Sequence, residues 1–277
     1  MATVLVAGGV NIDRVWRLST RLTPGGRTMF RDVETRLGGG GFNAACALKA
    51  LGHQVLFSVA VPDDPNGQTV RAALISLGFD ETYIGWKAGQ MRPAEILVEP
   101  SGERTILLAE TSQISRLGHL PDVAADAIYA DRRRIDPAAL TQRLAQSIVV
   151  AQMPLEPEEH RPAHMLVASR VDFPDEDPRQ VFERGKAMAG DALQAIALTN
   201  GGEPVLLWEN GEIAEIAVPP TPPAGDTTGA GDVFAAGLTD ALVRGAVPAT
   251  AVRHASSVAA RFLADREALI PTVSCGP

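Results

Sequence analysis

The stretch PPAGDTTGAGDVFAAG, residues 222–237, decides how the rest of the chain is read. Its centre, Asp226-Thr227-Thr228-Gly229-Ala230-Gly231-Asp232, runs from a turn of small residues straight into an amphipathic helix predicted over about 229–244. Thr227 and Thr228 stand where hydroxyls can cap the first helical amides, and the glycines let bare backbone approach a ligand. The start of a helix offers unpaired N–H groups and a partial positive charge, which suit phosphate. Asp232 puts a carboxylate just inside that anion-binding turn. It is a poor neighbour for phosphate unless its task is to take a proton. Read alone, it would serve equally as a first-turn carboxylate complementing the helix dipole.

Outward from this stretch, strands and helices alternate. TVLVAGGV (3–10) reads as a buried strand, and TMFRDVETRL (28–37) alternates as an exposed strand does. LGGGGFNAACALKALG (37–52) is a glycine run followed by a helix closed at Gly52. A strand is predicted at 54–61 and a helix at 67–77, then a hairpin at 94–110 around Pro-Ser-Gly. Further strands follow at 127–130, 148–152, 164–169 and 195–200, with helices over about 137–146 and 177–189. A second hairpin at 205–218 turns at Asn210-Gly211, and a last helix covers about 249–263. This order predicts an α/β fold with a mainly parallel sheet and helices on both faces. Segments 13–37 and 92–110 are expected to form a small second sheet over one domain spanning 1–277. There is no internal repeat and no low-complexity linker.

The bulk numbers bound the function. The chain has 277 residues, 45% hydrophobic, enough for one large α/β domain. A net charge of −8 argues against nucleic acid or an anionic membrane as partner, so local amides and arginines must overcome the global field to bind a polyanion. The two cysteines, Cys46 and Cys275, fall in a buried helix and the tail, so no disulfide is expected and a reducing cytoplasm fits. The opening run ATVLVAGGV carries no basic leader and is too short for a signal segment or a span.

No GxxxxGK(S/T) loop, no GxGxxG after the first strand and no HExxH helix occurs, which removes the commonest phosphate-loop, dinucleotide and zinc readings. Two glycine-rich turns nevertheless open helices, at 38–43 and 225–232. Either one alone is explained by tight strand–helix packing.

Together, Gly38-Gly39-Gly40-Gly41-Phe42-Asn43-Ala44-Ala45 and DTTGAGDVFAAG resemble the two signature motifs of the ribokinase, or phosphofructokinase B, family of carbohydrate kinases. Asn11-Ile12-Asp13 after the first strand matches as well, and the likeness covers nearly the whole chain. It implies a ribokinase-like three-layer α/β/α sandwich with a small β-sheet lid. It implies an ATP-dependent sugar kinase in which Asp232 is the general base for the attacking hydroxyl. The amides of Gly229, Ala230 and Gly231 would form the anion hole. Asn11, Asp13, Gly39, Gly40 and Asn43 would hold the sugar; without the resemblance, Asn11 and Asp13 also fit an Asx turn and Asn43 a helix cap. Thr227, Thr228 and Thr199-Asn200-Gly201-Gly202 would contact nucleotide phosphates, and Ser256 would flank adenine, although 199–202 equally suits an ordinary turn.

The same likeness implies Mg²⁺ bridging the nucleotide phosphates, with room for a monovalent cation. Where the family carries N-x-x-E, this chain has Ser169-Arg170-Val171-Asp172, which makes Asp172 the candidate to hold the metal through water. Lid pairing across a homodimer is expected. Arg27 and Arg92 are placed to hold an anionic substrate, or else to form a solvated lid face. The arginines at 132–134 read as a solvated loop. A phosphofructokinase-like phosphosugar kinase and a nucleoside kinase stand as rivals, the second disfavoured by only 5% aromatic residues. A catalytically silent sugar-binding regulator is the rival from another class.

Overall fold

The computed structural model describes residues 1–109, 120–131, 134–221 and 225–274. Residues 222–224 of the opening stretch, Glu110 at the end of the predicted hairpin, Arg132, Arg133 and Cys275 lie outside them. The main sheet begins with β1 (Thr3–Ala7) at its heart. The parallel strands β4 (Gln54–Pro62) and β8 (Ala127–Ala130) flank β1. Beyond β8 come β9 (Ile148–Gln152), β10 (Met165–Ser169) and β11 (Ala195–Asn200), all parallel, then the antiparallel pair β12 (Glu203–Glu209) and β13 (Glu212–Ile216). On the other side, the short β5 (Ile84–Lys87) closes the edge beside β4.

Each parallel strand is apolar on both faces, as a sheet covered on both sides requires. Along β1, Val4 and Val6 join one core, and Leu5 and Ala7 join the other. Buried residues of α1 (Gly40–Ala50), α2 (Pro65–Ser76), α5 (Ala230–Val243) and α6 (Pro248–Ala264) fill the first core. Those of α3 (Pro137–Arg143) and α4 (Pro178–Ala189) fill the second. The result is a three-layer α/β/α sandwich. Its parallel strands all end at one edge, where open α/β sheets bind ligands.

A separate four-stranded sheet forms the lid. Its order is β3-β2-β6-β7, from β2 (Asn11–Leu18), β3 (Phe30–Gly38), β6 (Ala94–Val98) and β7 (Arg104–Leu107). Antiparallel pairing of β2 with β3 sets Asn11 opposite Gly38 and Asp13 opposite Arg36.

Several details differ from the sequence reading. The first strand stops at Ala7, not at residue 10, because Gly8 packs on Gly41 and the Gly9 amide donates to Asp131 Oδ2 at 2.6 Å. β5 gave no periodic signal; it is four residues long. The α2 helix starts at Pro65 because Asp64 Oδ1 accepts the Gly67 amide at 2.8 Å. The Asn210-Gly211 hairpin forms as read, with both residues at positive φ (52° and 86°). Among the described residues no helix is long and apolar enough to cross a membrane.

Two contacts fix the helices that frame the ligand edge. A Cβ built on Gly41 would lie 2.6 Å from backbone atoms of Gly8 and Gly9, so α1 meets the end of β1 backbone to backbone. At the far end of α5, buried Asp240 bonds His53 Nε2 and His254 Nε2, each at 2.7 Å, and accepts Arg244 Nε at 2.6 Å. The Ala2 amide donates to His53 Nδ1, which leaves Nε2 as the protonated nitrogen facing Asp240. Gly41→Ala should therefore cost about 2 kcal/mol through overpacking and lower the Tm by roughly 4–8 °C. Gly202→Ala, at a glycine with nothing within 4 Å of an added Cβ, should leave the melting curve in place. Equal Tm values for the two variants in a thermal melt would contradict this packing.

Candidate active site

The site is assembled from four pieces at the carboxyl edge of β1. These are the start of β2, the end of β3, the first turn of α1 and the loop 225–229 leading into α5. Gly229 is the N-cap of α5 and adopts φ 94°, ψ −5°. That left-handed conformation is costly for any residue with a Cβ. The expected threonine cap does not form: the helix has no side-chain cap. The loop instead folds on itself. Asp226 Oδ1 accepts the Thr228 amide at 2.9 Å, and the Ala230 amide donates to the Thr227 carbonyl at 3.1 Å. Of the three amides read as an anion hole, that of Ala230 is thus already engaged. Those of Gly229 and Gly231 have no acceptor among the described residues.

Asp232 lies in the first turn of α5, half-buried. Asn43 Nδ2 donates to its Oδ2 at 2.9 Å. Its Oδ1 lies over Gly40, 3.0 Å from where a Cβ would be. One carboxylate oxygen is therefore fixed by α1, and the other packs over a glycine that has no Cβ to crowd it. Asn43 is buried, and its own Oδ1 has no partner among the described residues. Gly229 also serves this contact, since a Cβ there would come 2.9 Å from Asn43 Nδ2.

Asp13 is 3% exposed, and its carboxylate lies over Gly38, where no Cβ could be accommodated. Burial lifts its pKa to about 6; Arg36 and Arg266 pull it down, while Asp232 and Asp226 push it up. Asp226 feels burial too. There the Arg36 guanidinium and the hydrogen bonds from Thr228 and Arg36 prevail and hold it below the usual carboxylate range. Burial and the nearby Arg36 weaken the hold of Arg266 on its proton.

Three arginines that the sequence reading did not single out grip the loop residue by residue. Arg36 Nη2 donates to Asp226 Oδ2, Arg104 Nη1 to Thr227 Oγ1 at 2.7 Å, and Arg266 Nη1 to the Thr228 carbonyl at 2.8 Å. Arg36 had one sequence signal: once Asn11 is set opposite Gly38, it faces Asp13. Arg266 lies in an irregular turn after α6 and had none.

The other expected site residues are placed as follows. Asn11 and Gly39 meet at the start of β2, with a Gly39 Cβ 3.0 Å from the Asn11 amide. Thr199 and the exposed Gly201-Gly202 turn lie at the carboxyl end of β11, beside Ser169 at the end of β10. The 3₁₀ turn carrying Asp172 (Arg170–Asp172) follows β10 directly, at the same edge. Ser256 is buried in α6, its hydroxyl donating to the Val252 carbonyl at 2.9 Å. Arg27 and Arg92 are exposed; the hydrogen bond of Arg92 goes to Gln90 at 3.4 Å, and neither arginine bonds a site residue among the described residues.

Residues 1–128 and 155–272 match the family model of pfkB family carbohydrate kinases. The chain is 25% identical to a ribokinase of Haemophilus influenzae, over 93% of this chain and 91% of that one. It is 28% identical to an ATP-dependent ribose-1-phosphate kinase of Halopiger xanaduensis, over 86% and 84%. In fold it resembles the crystal structure of a ribokinase from Cryptococcus neoformans in complex with ADP, with TM-score 0.75, 20% identity and 97% of each chain covered.

The charge arrangement has a consequence for folding. Asp13 holds its proton more tightly folded than unfolded, so its contribution to stability is present near pH 4 and is lost as pH rises through about 6. Asp13→Asn removes this dependence. Chemical denaturation of both proteins should show the variant gaining on the wild type between pH 4 and pH 7. A stability difference independent of pH would contradict the placement of Asp13.

Proposed function

The chain belongs to the pfkB family of carbohydrate kinases, and on that premise we propose that it transfers the γ-phosphoryl group of ATP to a hydroxyl of a neutral sugar or sugar derivative. The observation that carries this reading is the pairing of Asp232, held by Asn43, with the open amides around left-handed Gly229. A proton acceptor and an anion-binding turn meet within one turn of helix.

The residues present fit a phosphoryl group. The Gly229 and Gly231 amides are donors without protein acceptors among the described residues. When bound, ATP supplies the γ-phosphorus, whose bond to the bridging oxygen breaks as one to the acceptor hydroxyl oxygen forms, with charge delocalised over its other oxygens. The Gly229 and Gly231 amides would meet that charge without first giving up a protein hydrogen bond, since they have no acceptor among the described residues. The proton of the attacking hydroxyl goes to Asp232. A carboxylate of ordinary basicity suffices where the proton leaves late and positioning dominates. Asn43 supplies the positioning by holding Oδ2.

Asp13 and Asn11 suit the sugar. A carboxylate accepts hydroxyl protons and a carboxamide both donates and accepts, which matches vicinal diols. The acidic residues Asp13, Asp226, Asp232 and Glu34 surround this space, and Arg36 is taken up by Asp226 and Glu34. That balance favours a neutral acceptor over a sugar phosphate. No group of three His, Cys, Asp or Glu side chains able to hold a metal occurs among the described residues. A Mg²⁺ that arrives on the nucleotide phosphates and keeps its waters needs no such cage, and Asp172 is the carboxylate we assign to its water shell.

Asp232→Asn retains an acceptor for Asn43 and removes the base. It should lower kcat by about 10²–10⁴-fold with the sugar KM nearly unchanged. Steady-state kinetics with the best acceptor would show this; a variant kcat within threefold of wild type would overturn the assignment.

A further inference from the structure

The family likeness leaves room for a monovalent cation, but the residues around the phosphate turn do not fit one. An alkali ion is held by carbonyl and carboxylate oxygens. In the loop that leads into Gly229 these are the Asp226 carboxylate and the carbonyls of Thr227 and Thr228. Each already accepts a hydrogen bond. Asp226 Oδ1 accepts the Thr228 amide at 2.9 Å, and its Oδ2 accepts Arg36 Nη2. The Thr227 carbonyl accepts the Ala230 amide at 3.1 Å, and the Thr228 carbonyl accepts Arg266 Nη1 at 2.8 Å.

Two of those donors are guanidiniums, and the chain holds both in place. Arg36 is 3% exposed and also bonds Glu34, at 3.4 Å. The Arg266 carbonyl accepts the amides of Leu269 and Ile270 at 3.1 and 2.9 Å, and the buried side chains of those two residues pin the turn after α6. The Arg266 guanidinium lies 5.1 Å from the Phe262 ring centroid. The tail then returns to the end of β3, where the Leu37 amide donates to the Val273 carbonyl at 3.0 Å, next to Arg36. The guanidiniums are close enough for Arg36 to weaken the hold of Arg266 on its proton. The buried Nε and Nη2 of Arg266 and Nε of Arg36 have no acceptor among the described residues. These unfilled groups are N–H donors, whereas a cation needs oxygens, and a free ion would meet two fixed positive charges.

We propose that Arg266, backed by Arg36, takes the place of an activating monovalent cation, so that phosphoryl transfer by this chain is independent of potassium and sodium. This rests on the kinase reading above. Arg266 is a positioning residue: it acts through the Thr228 carbonyl, one residue before Gly229. A guanidinium tethered to the chain supplies the charge of a bound ion, keeps it at any working pH and cannot dissociate. The phosphate turn then keeps its shape whatever salt surrounds it.

The test compares salts. Wild-type turnover with ATP, Mg²⁺ and the best acceptor is measured in potassium, sodium and tetramethylammonium chloride at matched ionic strength, and the three rates should agree within threefold. Arg266→Ala deletes the charge and leaves its space. It should lower kcat by about 10–100-fold in tetramethylammonium, by letting the turn shift. Added potassium or guanidinium ion should restore much of that loss, which a purely structural defect would not allow. A thermal melt verifies folding, and the wild-type comparison decides alone if Arg266→Ala does not fold. Three results would each overturn the proposal: wild type activated more than threefold by potassium or sodium, an Arg266→Ala kcat within threefold of wild type in tetramethylammonium, or a folded Arg266→Ala that neither ion rescues. A wild type that binds ATP and phosphorylates nothing in any salt would instead refute the kinase reading. Its calorimetric ATP affinities must still agree within threefold across the three salts if Arg266 replaces the ion.

Discussion

The left-handed residue at 229 is the constraint on which the site depends. At φ 94° the chain turns from the arginine-held loop directly into α5, with no side-chain cap over the first amides. A capped helix would have used those donors internally. Here the carboxylate that resembles a cap, Asp226, turns back to the Thr228 amide and to Arg36, and the helix start stays open. The same turn brings Asp232 to Asn43 across the α1–α5 contact. Glycine at 229 meets two demands at once, the backbone conformation and the 2.9 Å approach of Asn43 Nδ2 to where its Cβ would lie.

Around that turn, electrostatics is arranged locally against the charge of the chain. A protein of net charge −8 repels polyanions at long range, and salt screens that repulsion within about 10 Å. Three guanidiniums contact three successive residues of the loop that we propose binds phosphate and offset the carboxylates around it. The Arg36–Asp226 pair is nearly sealed from water, and such pairs contribute little net stability because desolvation offsets attraction. Their value lies in geometry: breaking one strands a buried charge, so the loop has few alternative shapes. Asp13 carries the opposite burden: its burial, with Asp232 and Asp226 nearby, lifts its pKa to about 6.

Most of the fold was legible because its determinants are local or periodic. Doubly apolar strands, Asn210-Gly211 and the two glycine turns each carried their own signal, and the lid pairing followed from the alternation of its strands. Asp232, Asn43 and Asp13 were legible through motif spelling and meet in one cluster. What escaped was long-range. Arg104 and Thr227 are separated by 123 positions and Arg36 and Asp226 by 190, so no window of sequence contains both partners. The arginines singled out instead, Arg27 and Arg92, lie in exposed lid connections, where composition alone does not tell solvation from recognition. The threonine cap was misplaced because propensity favours Ser, Thr and Asp at helix starts, while here a tertiary ion pair draws Asp226 away and leaves glycine as the cap.

The central claim is that an open phosphate turn and an adjoining carboxylate act together as one phosphoryl-transfer centre. Its most direct measurement is ADP release by the wild-type protein with ATP and Mg²⁺, across a panel of neutral sugars, sugar phosphates and nucleosides. The account predicts ADP formed one-for-one with a phosphorylated product, and fastest with a neutral sugar. ATP bound by the folded protein, with no ADP released above the acceptor-free rate for any member of the panel, would contradict it.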